Sequence, residues 1–166
     1  KELEEAQNYI NDLLAYIKTY PSTFDILEIT NFMIGNKNIL KGSWGDLEKE
    51  GFKLFKNYTE SSKDFLTFHA AQNDIRAQEA LNRLTTAENE VKRYINYFTF
   101  YLQNNVTSKL APGVLDNIKL AKTALTTKDL GQLNTTNQKF NTYIADNSLT
   151  TDYRKFVDSV SVVTKD

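Results

Sequence analysis

Leu81-Asn-Arg-Leu-Thr-Thr-Ala-Glu-Asn-Glu-Val-Lys-Arg-Tyr-Ile-Asn-Tyr-Phe-Thr-Phe-Tyr-Leu102 is the stretch that decides the fold of this chain. Leu81, Leu84, Val91, Ile95, Phe98 and Leu102 recur at steps of three and four, the seam of one helix face, which Glu88 alone breaks. At roughly 100° per residue, Tyr94 and Tyr101 widen that seam, while Tyr97 and Phe100 cover much of the opposite side. Only Lys92, Asn96 and Gln103 leave a polar strip. A helix that is apolar on most sides is buried among other helices. The stretch therefore predicts an all-α fold, with an aromatic-rich central helix over residues 86–104.

Outward from that helix the same periodicity continues. Leu3, Ala6, Ile10, Leu13, Ile17 and Tyr20 form the seam of a first helix over residues 1–19, which Pro21 stops. Ser22, with Asp25 three residues on, predicts the cap of a second helix ending near Gly35. Residues 35–45 read as a loop, and its large apolar groups Ile39, Leu40 and Trp44 are expected to fold back over the helices. A third helix is expected over residues 46–58, and Ser61 or Ser62 caps a fourth.

Unbroken from residue 62 to 105, that fourth helix would be roughly 65 Å long. A compact domain of this length has a radius of gyration near 15 Å. Thr85-Thr86-Ala87-Glu88 also matches a capping box, with Glu88 reaching back to Thr85. The sequence thus predicts a break at 84–86. Further helices follow from Pro112, from the caps Thr126 and Asp129, and from Ser148. The tail from Val160 to Val163 is rich in β-branched residues, and its helicity is open at this level. The expectation is a single domain, 1–166, built as a compact antiparallel bundle of about six to eight helices. A short α-solenoid of helical hairpins is the alternative. It is suggested by a faint echo between the Asp46-Leu47, Phe55 and Phe65 segments and the Asp129-Leu130, Phe140 and Tyr153 segments.

Composition narrows the function. The net charge is −1 and the pI about 5.9, which gives no electrostatic footprint for nucleic acid or an anionic membrane surface. The absence of cysteine removes disulfides, thiolate metal sites and cysteine nucleophiles. No apolar run approaches the 18 or so residues of a transmembrane helix. The first residue is Lys1 and the first helix has no cap before it, so the chain is read as excised from a longer or exported precursor, with a lean to an exported or periplasmic setting. Sequons at Asn57, Asn105 and Asn134 are no more than chance supplies in a chain this rich in Asn, Ser and Thr.

No motif carries chemistry. His69 is the only histidine, so the paired Glu-x-x-His motifs of di-iron bundles cannot be built. Gly42-Ser43-Trp44-Gly45 is not a nucleophile elbow, and no glycine-rich phosphate loop is present. The reading is that the chain is not an enzyme and takes no cofactor or metal. The candidate binding residues are Trp44, His69, Arg93, Tyr97 and Tyr101. Tyrosine and tryptophan join apolar area to a polar tip and suit interfaces. Arg76, Arg83 and Arg93 could pair an acidic partner, although arginines at helical spacing more often line a solvated face. The expected function is a non-catalytic helical interaction or scaffold domain with a protein or peptide partner. The alternative is a small-molecule, peptide or sugar site in an aromatic cleft, for instance one walled by Tyr97, Phe100 and Trp44.

Overall fold

The computed structural model describes the backbone of residues 1–165 and the side chains of residues 1–160. Seven helices account for the regular structure of the described residues, and none of these residues lies in a strand. They are α1 (Glu2–Thr19), α2 (Ile26–Gly35), α3 (Asp46–Thr59), α4 (Lys63–Asn104), α5 (Ala111–Thr127), α6 (Leu130–Asp146) and α7 (Thr150–Lys165). The all-α expectation therefore holds, and the Val160–Val163 backbone lies within α7.

Local chemistry sets most of the boundaries. Asp25 caps α2 by accepting from Leu27 N at 2.9 Å and Glu28 N at 3.4 Å, so the cap falls at Asp25 and not at Ser22. Ser62 Oγ accepts from Phe65 N at the start of α4. Pro112 sits in the first turn of α5, where a missing N–H costs nothing. Asp129 caps α6 by accepting from Gly131 N at 3.0 Å, while Thr126 bonds back into α5. Ser148, with φ of 57°, lies in the turn before α7, so that helix starts two residues later than its sequence signal.

The predicted break at 84–86 is absent: α4 runs unbroken through Thr85 and Thr86. The backbone N–H of Thr85 lies inside a helix and is no orphan donor, so Glu88 has no cap to close. Its carboxylate instead accepts from Lys128 Nζ at 2.7 Å, and Lys128 holds the left-handed C-cap position of α5. Contacts fall into two compact units, Lys1–Gln78 and Glu79–Asp166. Each unit has its own hydrophobic core and its own share of α4.

In the first unit, Ala6, Tyr9, Ile10, Leu13 and Tyr16 of α1 are buried with Ile29, Phe55 and Phe65. Phe32 stacks on Phe55 at 4.1 Å, and Tyr9 meets Phe52 and Phe65 edge-on at 5.7 and 5.2 Å. The loop before α3 does fold back. Ile39 is fully buried and Trp44 half-buried, but Leu40 stays exposed. Gly42 takes a φ of 89°, which a side chain rarely adopts. Gly51 costs α3 some helix propensity, but a Cβ there would overlap the Asn36 carboxamide.

In the second unit, Val91, Tyr94, Tyr97, Phe98 and Tyr101 of α4 form the centre of the core with Val114, Leu133, Phe140 and Ile144. Phe98 meets Phe140 edge-on at 5.3 Å, and Tyr94 stacks on Tyr153 at 5.1 Å. Val91 and Phe98 of the predicted seam are fully buried, and Leu84, Ile95 and Leu102 pack against the core from its edge. Leu81 departs from expectation, with its side chain largely exposed. No helix is long and apolar enough to cross a membrane among the described residues.

Candidate functional site

The site is built on helix faces of the first unit. On α1, Glu5, Tyr9 and Asp12 follow one another at helical spacing; on α4, Leu66, His69, Asn73 and Arg76 do the same. Residues three and four apart share a face, so each set projects together. Asp12 is the anchor. Its neighbours Ile10 and Leu13 are buried, and Asp12 itself is only 7% exposed. A buried carboxylate requires partners. Arg76 grips it with both terminal nitrogens, Nη1 to Oδ1 at 3.0 Å and Nη2 to Oδ2 at 2.8 Å. His69 Nδ1 lies 2.6 Å from the same Oδ2.

The network continues outward. Arg76 Nη2 also donates to Asn73 Oδ1, which turns the Asn73 amide so that Nδ2 faces His69 Nε2 at 3.3 Å. In that arrangement His69 donates from Nδ1 to Asp12 and accepts at Nε2 from Asn73. The ring is held in place as well, 4.9 Å from Tyr9 and 5.9 Å from Phe65. Burial by itself would raise the Asp12 carboxyl, but the hydrogen bonds from Arg76 and His69, with the charge of Arg76, outweigh it and hold the group below the usual carboxylate range.

Beside this network opens a cleft of about 730 Å³. Tyr9, Trp44 and Phe52 form its aromatic wall, with Trp44 and Phe52 at 6.1 Å. His69 and Asn73 line another part, and Lys49, Lys56, Glu2 and Glu5 bring charge of both signs. The volume lies in the range of small-ligand sites. Trp44 Nε1 is enclosed without an acceptor. The Asp12–His69 pair reproduces the base half of a nucleophilic triad, but the cleft lining contains no serine, threonine or cysteine. Among the described residues, no three His, Cys, Asp or Glu side chains are placed to share a metal ion.

The sequence-derived candidates divide between the two units. Trp44 and His69 line this one cleft. Tyr97 and Tyr101 are buried in the core of the second unit, where the Tyr97 hydroxyl donates to Asp152 Oδ2 at 2.8 Å and that of Tyr101 lies 2.7 Å from Ser108 Oγ. Arg93 is exposed beside Tyr153. None of the described cavities is walled by Tyr97 and Phe100. Sequence reasoning passes over Asp12 and offers Arg76 either as a cation for an acidic partner or as part of a solvated face. The available signal was an acidic residue between Ile10 and Leu13, with a histidine, an asparagine and an arginine sharing a helix face elsewhere. No protein family, curated protein or solved structure matches this chain.

Proposed function

We propose that the chain is a non-catalytic interaction module whose first-unit cleft receives an apolar side chain of a protein or peptide partner. The supporting observation is the cleft itself: about 730 Å³, walled by Tyr9, Trp44 and Phe52, beside a histidine held by Asp12. An aromatic pocket with a few fixed polar groups is the usual form of an anchor site. The same unit also exposes large aliphatic side chains. Leu27 and Ile34 on α2, and Leu47 and Leu54 on α3, are 76, 68, 85 and 72% exposed. Each pair lies seven residues, about two turns, apart on its helix. Clustered exposed aliphatics mark interaction surfaces more than isolated ones do.

The test is selection of peptides from a random linear library on the intact chain, followed by fluorescence titration. Trp44 is the only tryptophan, so its emission reports directly on the cleft. Selected peptides should carry a large apolar residue and shift that emission. Trp44→Ala should weaken their binding at least tenfold while changing stability by about 1 kcal/mol or less. Undiminished binding by Trp44→Ala overturns the proposal. So does a stability loss of roughly 3–5 kcal/mol, the signature of a plug in the core.

A further inference from the structure

The second unit carries a groove of different character, along the junction of α4 and α6. One cavity of about 410 Å³ is lined by Glu90 and Tyr94 from α4 and by Asn134, Asn137, Gln138 and Asn141 from α6. A second, of about 320 Å³, shares Glu90 and Asn134 and extends the groove past Thr86 and Arg83. The α6 wall is thus a run of carboxamides at spacings of three, one and three residues, all on one helix face.

Three of these amides have nothing to do inside the chain. Asn134, Gln138 and Asn141 are exposed and make no hydrogen bond to another described residue. The fourth, Asn137, is 6% exposed and serves as the anchor of the row. Its Nδ2 donates to the Ala87 carbonyl of α4 at 3.2 Å, and its Oδ1 has no donor.

A carboxamide offers two donors and an acceptor on one planar group. The ligand that repeats the complementary pair along its length is a polypeptide main chain, with one N–H and one C=O per residue. From Thr86 to Tyr94, α4 rises about 12 Å, enough for three to four residues of extended chain. Other polymers fit less well. A glycan would need an exposed ring to stack on, and the one ring here, Tyr94, is 4% exposed and already stacked on Tyr153. Nucleic acid would need clustered cations, and Arg83, the one cation lining these cavities, shares its wall with the opposite charge of Glu90. An apolar helix would find little to bury against beyond Leu130.

We infer that the exposed carboxamides Asn134, Gln138 and Asn141, set beside the buried Asn137 that ties α6 to α4, are a binding site for the main chain of an extended peptide, tolerant of its side-chain sequence. This site is independent of the Trp44 cleft and does not rest on the reading proposed for it.

The probe is a capped neutral hexapeptide, acetyl-Ser-Ala-Thr-Ala-Ser-Thr-amide, titrated into the intact ¹⁵N-labelled protein. The side-chain amide signals of Asn134, Gln138 and Asn141 should move together and saturate. The same peptide N-methylated at alternate residues should leave them in place. Replacing Asn134, Gln138 and Asn141 together by Ala should weaken binding at least tenfold while the rest of the spectrum stays unchanged, since all three are exposed. Trp44→Ala should have no effect. The inference is overturned if no saturable shift occurs, if the methylated peptide acts as well, or if maltotriose saturates these signals and the peptide does not.

Discussion

Asp12 shows how one residue can tie a unit together. Two opposing effects act on its carboxyl, and the partners win: Arg76 and His69 favour the charged form more strongly than burial disfavours it. Removing one member of a buried pair strands the other. Arg76 keeps about a third of its side-chain surface in water, so the cost is below that of a fully buried pair. Asp12→Ala should therefore destabilise the chain by about 2–3 kcal/mol in a denaturant titration. A carboxyl lowered in the folded state contributes stability that is complete above its unfolded value near 3.9 and is lost as pH falls through the folded value. The gap between wild type and Asp12→Ala should then be constant from pH 7 down to about 5 and shrink below about 4. A gap that does not change down to pH 2 would mean that the carboxylate is not held by its partners.

The tyrosines of the second core have the opposite sign. Tyr94 and Tyr97 are raised above the ordinary value, first by burial and then by the neighbouring Tyr153 and the Asp152 carboxylate respectively. A raised group contributes stability that is complete below the unfolded value near 10 and is lost as pH rises above it. Absorbance at 295 nm should show these two phenols ionising only as the chain unfolds. Their titration in a protein that keeps its helical circular dichroism would contradict the packing.

Among the elements, α4 separates what the sequence made legible from what it hid. Its aromatic second half was readable because the three-four spacing and the wide apolar arc leave few alternatives to burial. The caps Ser62 and Asp129 were readable because each places a short polar side chain against an orphan backbone donor, whereas at α2 the sequence points to Ser22 and the cap is Asp25. The break at Thr85 was misread because a capping box looks the same in sequence whether its donors are orphaned or already used. Thr85→Ala distinguishes the two cases. At a cap it would cost about 1 kcal/mol. In a continuous helix it should be neutral or stabilise by a few tenths of a kcal/mol, since Ala is the better helix former. The same ambiguity hid the cleft. Asp12 carries no mark of its partners, because His69 and Arg76 lie 57 and 64 residues away and meet it only through the fold.

For the whole molecule, the central claim is that two hydrophobic cores divide the chain while α4 continues through both. The composition of either core is apparent from periodicity, but their number is not. Spacing assigns a residue to an inner face without saying which neighbours that face will meet. Native-state hydrogen exchange on Phe98→Ala tests this claim most directly. Phe98 is fully buried among second-unit residues, so its loss should cost roughly 3–5 kcal/mol. Cooperative units open separately when their cores are separate. The account predicts faster exchange across α5, α6 and the second half of α4, with the amides of α1 and α3 unchanged and those of Thr85 and Thr86 protected in the wild type. An equal rise in exchange from α1 to α6, or unprotected amides at Thr85 and Thr86 in the wild type, would contradict it.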